Sequence, residues 1–307
     1  MPRQGLSIIG RPEPRYDPAK AINRDGTRDF RSKSACRGED TIRSKLMDSA
    51  RERYPEQFAG LDAKKLVKAL MRSGDSGVFQ DTLGSSLNWH RSARPVVGAL
   101  WKLYDECPAG QKPTTFTIIP RNWEVSPAEL QSTNPVALLN GLKTALYSCG
   151  AAAAGGWLFA SLHSEYDPEA DIFRFHVHGL MSREMIPVVD EMRKIPRYKF
   201  ARTLPDGSWS PVCRRTWIRR LPLVNLPSPL TYLLQAFWPA RPILITPEGK
   251  RRRVRDKHRM PEPYHSLSLL WLDRWRLDDL TLRIHLTTSP TGFVPTQPKV
   301  TRIGGSK

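Results

Sequence analysis

Two runs of strand-forming residues lie almost back to back near the middle of the chain. GGWLFASLHSEY (155–166) reads as a buried strand, and IFRFHVHGLM (172–181) alternates as a second. Between them YDPEAD (166–171) supplies turn residues. So short a connection joins strands antiparallel, because a parallel pair needs a crossover of a dozen residues or more. The fold must therefore be built around a hairpin. TTFTIIP (114–120) is an earlier β-branched run closed by Pro120. Asn134-Pro135 caps a helix in which Leu138, Leu142, Ala145 and Leu146 share a face until Gly150. Further helices are predicted over 187–195, over 230–238 behind Ser228-Pro229, and around 265–276, and CRRTWIRRL (213–221) reads as a basic strand. The order strand, helix, strand, strand, helix, strand, helix predicts an α+β domain with an antiparallel sheet and flanking helices. The 27 prolines argue against a long helical bundle.

Four segments are expected. Residues 1–40, rich in Arg, Pro, Asp and Gly, read as a basic mobile arm. Residues 41–110 are helical by periodicity, with Leu61, Leu66, Leu70 and Met71 in one stripe and Val96, Leu100, Leu103 and Tyr104 in another. The α+β domain runs over 111–285 with a basic insertion near 241–259, and 286–307 reads as a flexible tail. No run of about 18 apolar residues exists, so no membrane span is expected. The N-terminus lacks a secretory apolar stretch. The four cysteines (36, 107, 149, 213) form no CxxC pair, which leaves neither a disulfide framework nor a cysteine zinc site. A cytoplasmic protein is expected.

Charge narrows the partner. Across 307 residues, 48 Lys and Arg stand against 30 Asp and Glu, a formal +18, which favours a polyanion. The excess concentrates at Arg214, Arg215, Arg219 and Arg220 and again at Arg241, Lys250, Arg251, Arg252, Arg253, Arg255, Lys257 and Arg259. Trp209, Trp217 and Trp238 lie among these charges and can stack on unpaired bases.

His176 and His178 are two apart on a strand, so both project from one face. The preceding strand carries His163 and Glu165 at the same spacing. Once the hairpin closes, three imidazoles, or two and a carboxylate, converge on a divalent cation. The blander reading of HVH is a polar strand face.

FRFHVHGLM resembles the His-hydrophobic-His (HUH) motif of rolling-circle replication initiators and the related transposases and relaxases. The family orders a strand near FTLT, the HUH strand, and then a helix carrying a catalytic tyrosine. Here FTIIP (116–120), HVH (176–178) and TYLLQ (231–235) follow in that order, and the likeness spans roughly residues 114–240. The resemblance implies a sheet with the HVH strand in its middle. It also implies Mg2+ or Mn2+ rather than zinc, held by His176, His178 and His163, with Glu165 as the alternative third ligand. Tyr232 is the implied nucleophile, with Tyr198 and Tyr264 in reserve. The family often writes Tyr-x-x-Lys where this chain has Gln235, and Arg219, Arg220 or Arg241 can supply the missing cation. The implied activity is nicking of single-stranded or hairpin DNA at an origin, leaving a 5′-phosphotyrosine and a free 3′-hydroxyl in a bacterial cytoplasm. No G-x-x-x-x-G-K-[ST] is present, so helicase and polymerase would come from the host. The alternatives are a transposase or relaxase of the same chemistry, a non-catalytic nucleic-acid binder, and a zinc hydrolase that activates water.

Overall fold

The computed structural model describes residues 5–22, 26–201, 203, 207, 210, 212, 214–235, 238–249, 251–253 and 258–297. Among the described residues, seven α-helices are α1 (Lys33–Arg53), α2 (Ala63–Ser76), α3 (Ser86–Glu106), α4 (Pro135–Ser148), α5 (Ile186–Glu191), α6 (Ser228–Tyr232) and α7 (Tyr264–Asp273). The same residues hold twelve strands, β1 (Thr114–Ile118), β2 (Glu124–Val125), β3 (Leu158–Asp167), β4 (Ile172–Met181), β5 (Thr216–Ile218), β6 (Pro239–Ala240), β7 (Ile243–Ile245), β8 (Arg251–Arg253), β9 (His258–Arg259), β10 (Thr281–Ile284), β11 (Leu286–Ser289) and β12 (Gly292–Pro295). The chain is thus α+β with a mostly helical N-terminal region. No described helix is long and apolar enough to cross a membrane.

The main sheet has the order β5-β1-β4-β3-β6-β9, with β2 beside β4 and β10 beside β3. The expected hairpin is β3–β4, in register from Leu158↔Met181 to Asp167↔Ile172. The sheet is mixed rather than antiparallel, because β6 bridges parallel to β3 at Tyr166↔Ala240.

Pleating sorts the hairpin into two faces. Leu162, Tyr166, Phe173, Phe175 and Val177 point one way with Phe116 and Ile118 of β1, and all are buried. Trp271 of α7 packs there, 5.4 Å from the Phe175 ring. The other face carries Ser161, His163, Glu165, Arg174, His176 and His178. Gly179 is where β1 closes on β4: an added Cβ would stand 2.3 Å from the Phe116 ring and 2.5 Å from the Phe159 carbonyl.

Helix α1 is tied to the sheet by an ion pair at the buried Glu39 carboxylate, which a second guanidinium of the same helix also meets. Arg259 of β9 reaches Glu39 of α1 at 2.8 Å, and Arg43 reaches it at 3.0 Å. Burial alone would push the Glu39 carboxyl up, but the two guanidinium groups hold it down to about 2. Asp40, fully buried, accepts from the Ser73 and Ser85 hydroxyls and from the Ser86 and Leu87 amides at the start of α3. The charge thus meets the positive end of that helix.

Two expected flexible segments are corrected. Residues 5–17 are strapped down: the Leu6 amide donates to Asp278 at 2.9 Å, Gly10 N to Pro290 O at 2.9 Å, and Asp17 pairs with Arg94. Leu6, Ile9, Tyr16 and Phe30 are buried anchors too irregularly spaced to show as periodicity. Likewise 286–295 is the β11–β12 hairpin, whose Phe293 lies 5.5 Å from Phe159. Replacing Gly179 by Ala is expected to cost about 3 kcal/mol or to abolish soluble folding, because neither the ring nor the carbonyl can retreat within the sheet. Thermal unfolding measures it.

Candidate active site

Register builds the site in three rows across the sheet. His178 faces Ser161 on one side and Thr117 on the other, and Thr117 in turn faces Trp217 of β5. His163 and His176 are direct partners in the next row. Glu165, Arg174 and Glu124 form the third. Each row shares one face because directly opposed residues in a pleated pair project together.

The histidine tautomers follow from their partners. His176 Nδ1 lies 3.1 Å from the Arg174 carbonyl, which can only accept, so Nδ1 carries the proton and Nε2 the lone pair. His178 Nδ1 is held by the Thr117 hydroxyl at 2.8 Å. The two Nε2 atoms then face each other at 3.1 Å. When the Thr117 hydroxyl donates to His178 Nδ1, His178 Nε2–H donates to the His176 lone pair; when the hydroxyl accepts, two lone pairs face each other and a cation between them relieves the repulsion. The gap is also that of two ligands ~2.1 Å from one ion at about a right angle.

His163 has a different partner. Its Nε2 lies 2.7 Å from the Leu233 carbonyl and must donate, leaving Nδ1 as the atom that can take a proton or a metal. Its ring centre is 4.9 Å from that of His178. Glu165 is buried and paired with Arg241 at 3.0 Å. Among the described residues no group of three His, Cys, Asp or Glu side chains is arranged around a common ion. The donor set therefore fits a cation at His176 and His178, while neither expected third ligand joins them in this arrangement.

Tyr232 is carried over the pair by α6. Its ring centre is 4.7 Å from that of His178, edge to face, and 6.4 Å from that of His163, nearly parallel. The helix is shorter than the predicted 230–238: it ends at Tyr232, and the carbonyls of the two residues after it are taken from outside. His163 donates to Leu233 O, and the Trp89 indole of α3 donates to Leu234 O at 2.6 Å. Both are carbonyls that a helix end leaves without amide partners. The chain then leaves the helix for β6, where Arg241 N bonds Tyr166 O at 2.9 Å.

That turn brings the Arg241 guanidinium to both Glu165 and the Tyr232 hydroxyl. Burial raises the Tyr232 pKa. Arg241 opposes this by charge and hydrogen bond, and Glu165 adds to it. The reserve tyrosines lie elsewhere: Tyr264 stacks on Tyr166 of the apolar face at 4.3 Å, and Tyr198 is buried with its carbonyl beside Thr216.

The basic residues divide. Arg215 is a correction: it is buried, 3.2 Å from Glu124, in the ion-pair network that also holds Arg174 to Asp167 at 3.2 Å. A guanidinium so committed holds the sheet together and is closed to phosphate. Arg220 is exposed but paired with Asp190 at 2.6 Å. Arg214 is exposed and Arg219 half-buried. Trp217, 38% exposed, shares the histidine face two strands from His178. Arg251, Arg252 and Arg253 form β8, whereas Lys250, Arg255, Lys257 and Trp209 lie outside the described residues.

A cavity of about 300 Å³ opens beside Tyr232, walled by Phe30, Trp89, His90, Thr231 and Gln235. Sequence patterning missed this wall. In the sequence Trp89 falls in the helical stretch, His90-Arg91-Ser92 reads as a His-x-Ser motif set aside for its helical surroundings, and Phe30 sits in the supposed arm. Comparison of the chain with protein-family models, with curated proteins and with solved structures finds no match.

Burial, then the charges of Arg94 and Lys33, push His90 down from 6.5 to about 4. Between those values the unfolded chain holds a proton that the folded chain refuses, so this contribution is present above pH 6.5 and lost as pH falls to 4. Unfolding measured against pH is expected to show up to ~3 kcal/mol lost across that window. The slope flattens in His90→Phe.

Proposed function

We propose that the chain is a metal-dependent nuclease of the HUH class, cutting single-stranded DNA through a tyrosine. Within that class the reading that fits best is a rolling-circle replication initiator that nicks an origin. The observation that carries this is the approach of Tyr232 to two histidines whose Nε2 atoms face across 3.1 Å. A helix tyrosine packed at random in the core has no reason to meet that pair, nor to draw Arg241 to its hydroxyl.

In this mechanism the Tyr232 oxygen attacks the scissile phosphorus. As the P–O3′ bond breaks, the new O–P bond leaves the 5′-phosphate of the strand beyond the cut on the tyrosine. The phenol gives its proton to water, and the departing 3′ oxygen takes one from water to become the free 3′-hydroxyl. A divalent cation at His176 and His178, Mg2+ or Mn2+, would supply Lewis acidity toward a phosphate oxygen. Arg241 favours the phenolate and meets the charge on the phosphate, the role of the lysine that Gln235 replaces. The Arg174 carbonyl keeps the His176 imidazole in the ligand tautomer, and the Thr117 hydroxyl orients the His178 ring. Arg219 and Trp217 lie on the same face and offer a cation and a stacking surface to the incoming strand. Two strand spacings, about 10 Å, separate Trp217 from His178. Transposases and relaxases share this chemistry. The initiator reading rests on the order of the FTIIP, HVH and TYLLQ segments, with unwinding and synthesis left to a host helicase and polymerase.

The test is cleavage of labelled single-stranded DNA with Mn2+, resolved on a denaturing gel without protease. A slow-migrating protein–DNA species is expected in wild type and absent in Tyr232→Phe and His176→Ala. In Arg241→Ala it forms at least about 100-fold more slowly, the usual effect of removing one charge-stabilising donor. Cleavage that persists in Tyr232→Phe with no adduct would overturn the reading in favour of metal-activated water.

A further inference from the structure

The cavity beside Tyr232 is made by two parts of the chain that the cleavage chemistry does not itself connect. One wall comes from the segment before α1 and from α3, with Asp29, Phe30, Trp89 and His90. The other is α6 and the residues just after it, with Thr231, Tyr232 and Gln235. We propose that this cavity holds one unpaired nucleobase next to the phosphate attacked by Tyr232, so that the N-terminal helical region reads the sequence at the cut. The inference rests on the nuclease reading above.

Four features argue for a base. The volume, about 300 Å³, is at the small end of ligand pockets and suits a single flat ring system. The Phe30 and His90 rings, 4.8 Å apart, and Trp89 present aromatic surface, on which any base can stack. Polar groups sit around that surface: the Gln235 amide both donates and accepts, as the Watson–Crick edge of a base requires. His90 adds a ring kept neutral at physiological pH, whose Nδ1 is buried without a hydrogen-bond partner among the described residues. A buried polar atom left so is the mark of a site completed by something else.

Charge excludes the simplest competitor. A free phosphate in the cavity would meet the Asp29 carboxylate, and Arg31, the cation in the wall, also leans toward Glu39 at 3.9 Å. A neutral base faces no such penalty. The departure from the family pattern gains a reason as well. Gln235 lines the base cavity, and Arg241 carries the charge on the tyrosine instead.

Photo-cross-linking of the full chain to short single-stranded DNA tests this without requiring cleavage. One set of strands carries 5-iododeoxyuridine and a parallel set 8-bromodeoxyadenosine, and the attached peptides are identified by mass spectrometry. Cross-links to Phe30, Trp89 or His90 are expected. Their yield should fall about tenfold in Phe30→Leu, which keeps the apolar volume but loses the ring, and in Ala93→Leu, which narrows the cavity. Cross-links at Trp217 should be unchanged in both variants, and thermal unfolding confirms that each is folded. Cross-links confined to Trp217, with binding intact, would overturn the base pocket and leave the nuclease reading standing. Failure to bind single strands at all would overturn both.

Discussion

Two N–H donors from opposite sides of the molecule hold the end of a five-residue helix. His163 on the sheet donates to Leu233 O, and Trp89 on α3 donates to Leu234 O. A helix of that length has no stability of its own, so the height and angle of Tyr232 over the histidine pair are set by these two bonds and by Leu230, Leu233 and Leu234 beneath it. The helix ends before both acceptors, and the chain beyond them returns Arg241 to Glu165 and the tyrosine. Pair, tyrosine and cation thus share one dependence. The N-terminal helices become part of the site, because one of its two anchors is theirs.

Beneath α6 the sheet confronts an electrostatic problem. Its polar face collects Glu165, Arg174, Glu124 and Asp167 around three imidazoles in a setting nearly closed to water. Buried charge is tolerable only where it is paired and hydrogen-bonded. Arg174 meets Asp167 and Glu124, Arg215 meets Glu124, and Arg241 meets Glu165. With the carboxylates matched to guanidinium groups, the imidazoles are left to meet one another and Tyr232. That division explains why Glu165, two residues from His163 on the same strand face, is held as a partner for Arg241.

Much of this was legible in the sequence because it is local. The turn at 166–171 fixed the hairpin, and period-two spacing put His163, Glu165, His176 and His178 on one face. What escaped depends on contacts distant in sequence. Arg215 reads as one more basic residue in CRRTWIRRL, and only the long-range pairing with Glu124 turns it inward. His163 reads as a ligand by spacing, yet the Leu233 carbonyl, 70 residues away, takes its Nε2. The segment around Phe30 looked mobile because isolated apolar anchors carry no periodicity. The shortening of α6 could not be read from LTYLLQAFW, whose propensities favour a longer helix.

The account stands or falls on which tyrosine becomes attached to DNA. After reaction with single-stranded DNA and Mn2+, nuclease trimming and proteolysis leave a nucleotide on the modified peptide, which mass spectrometry can place. The account predicts a 5′-phosphonucleotide on Tyr232. Attachment at Tyr198 or Tyr264 would contradict it, and so would cut DNA with no modified tyrosine.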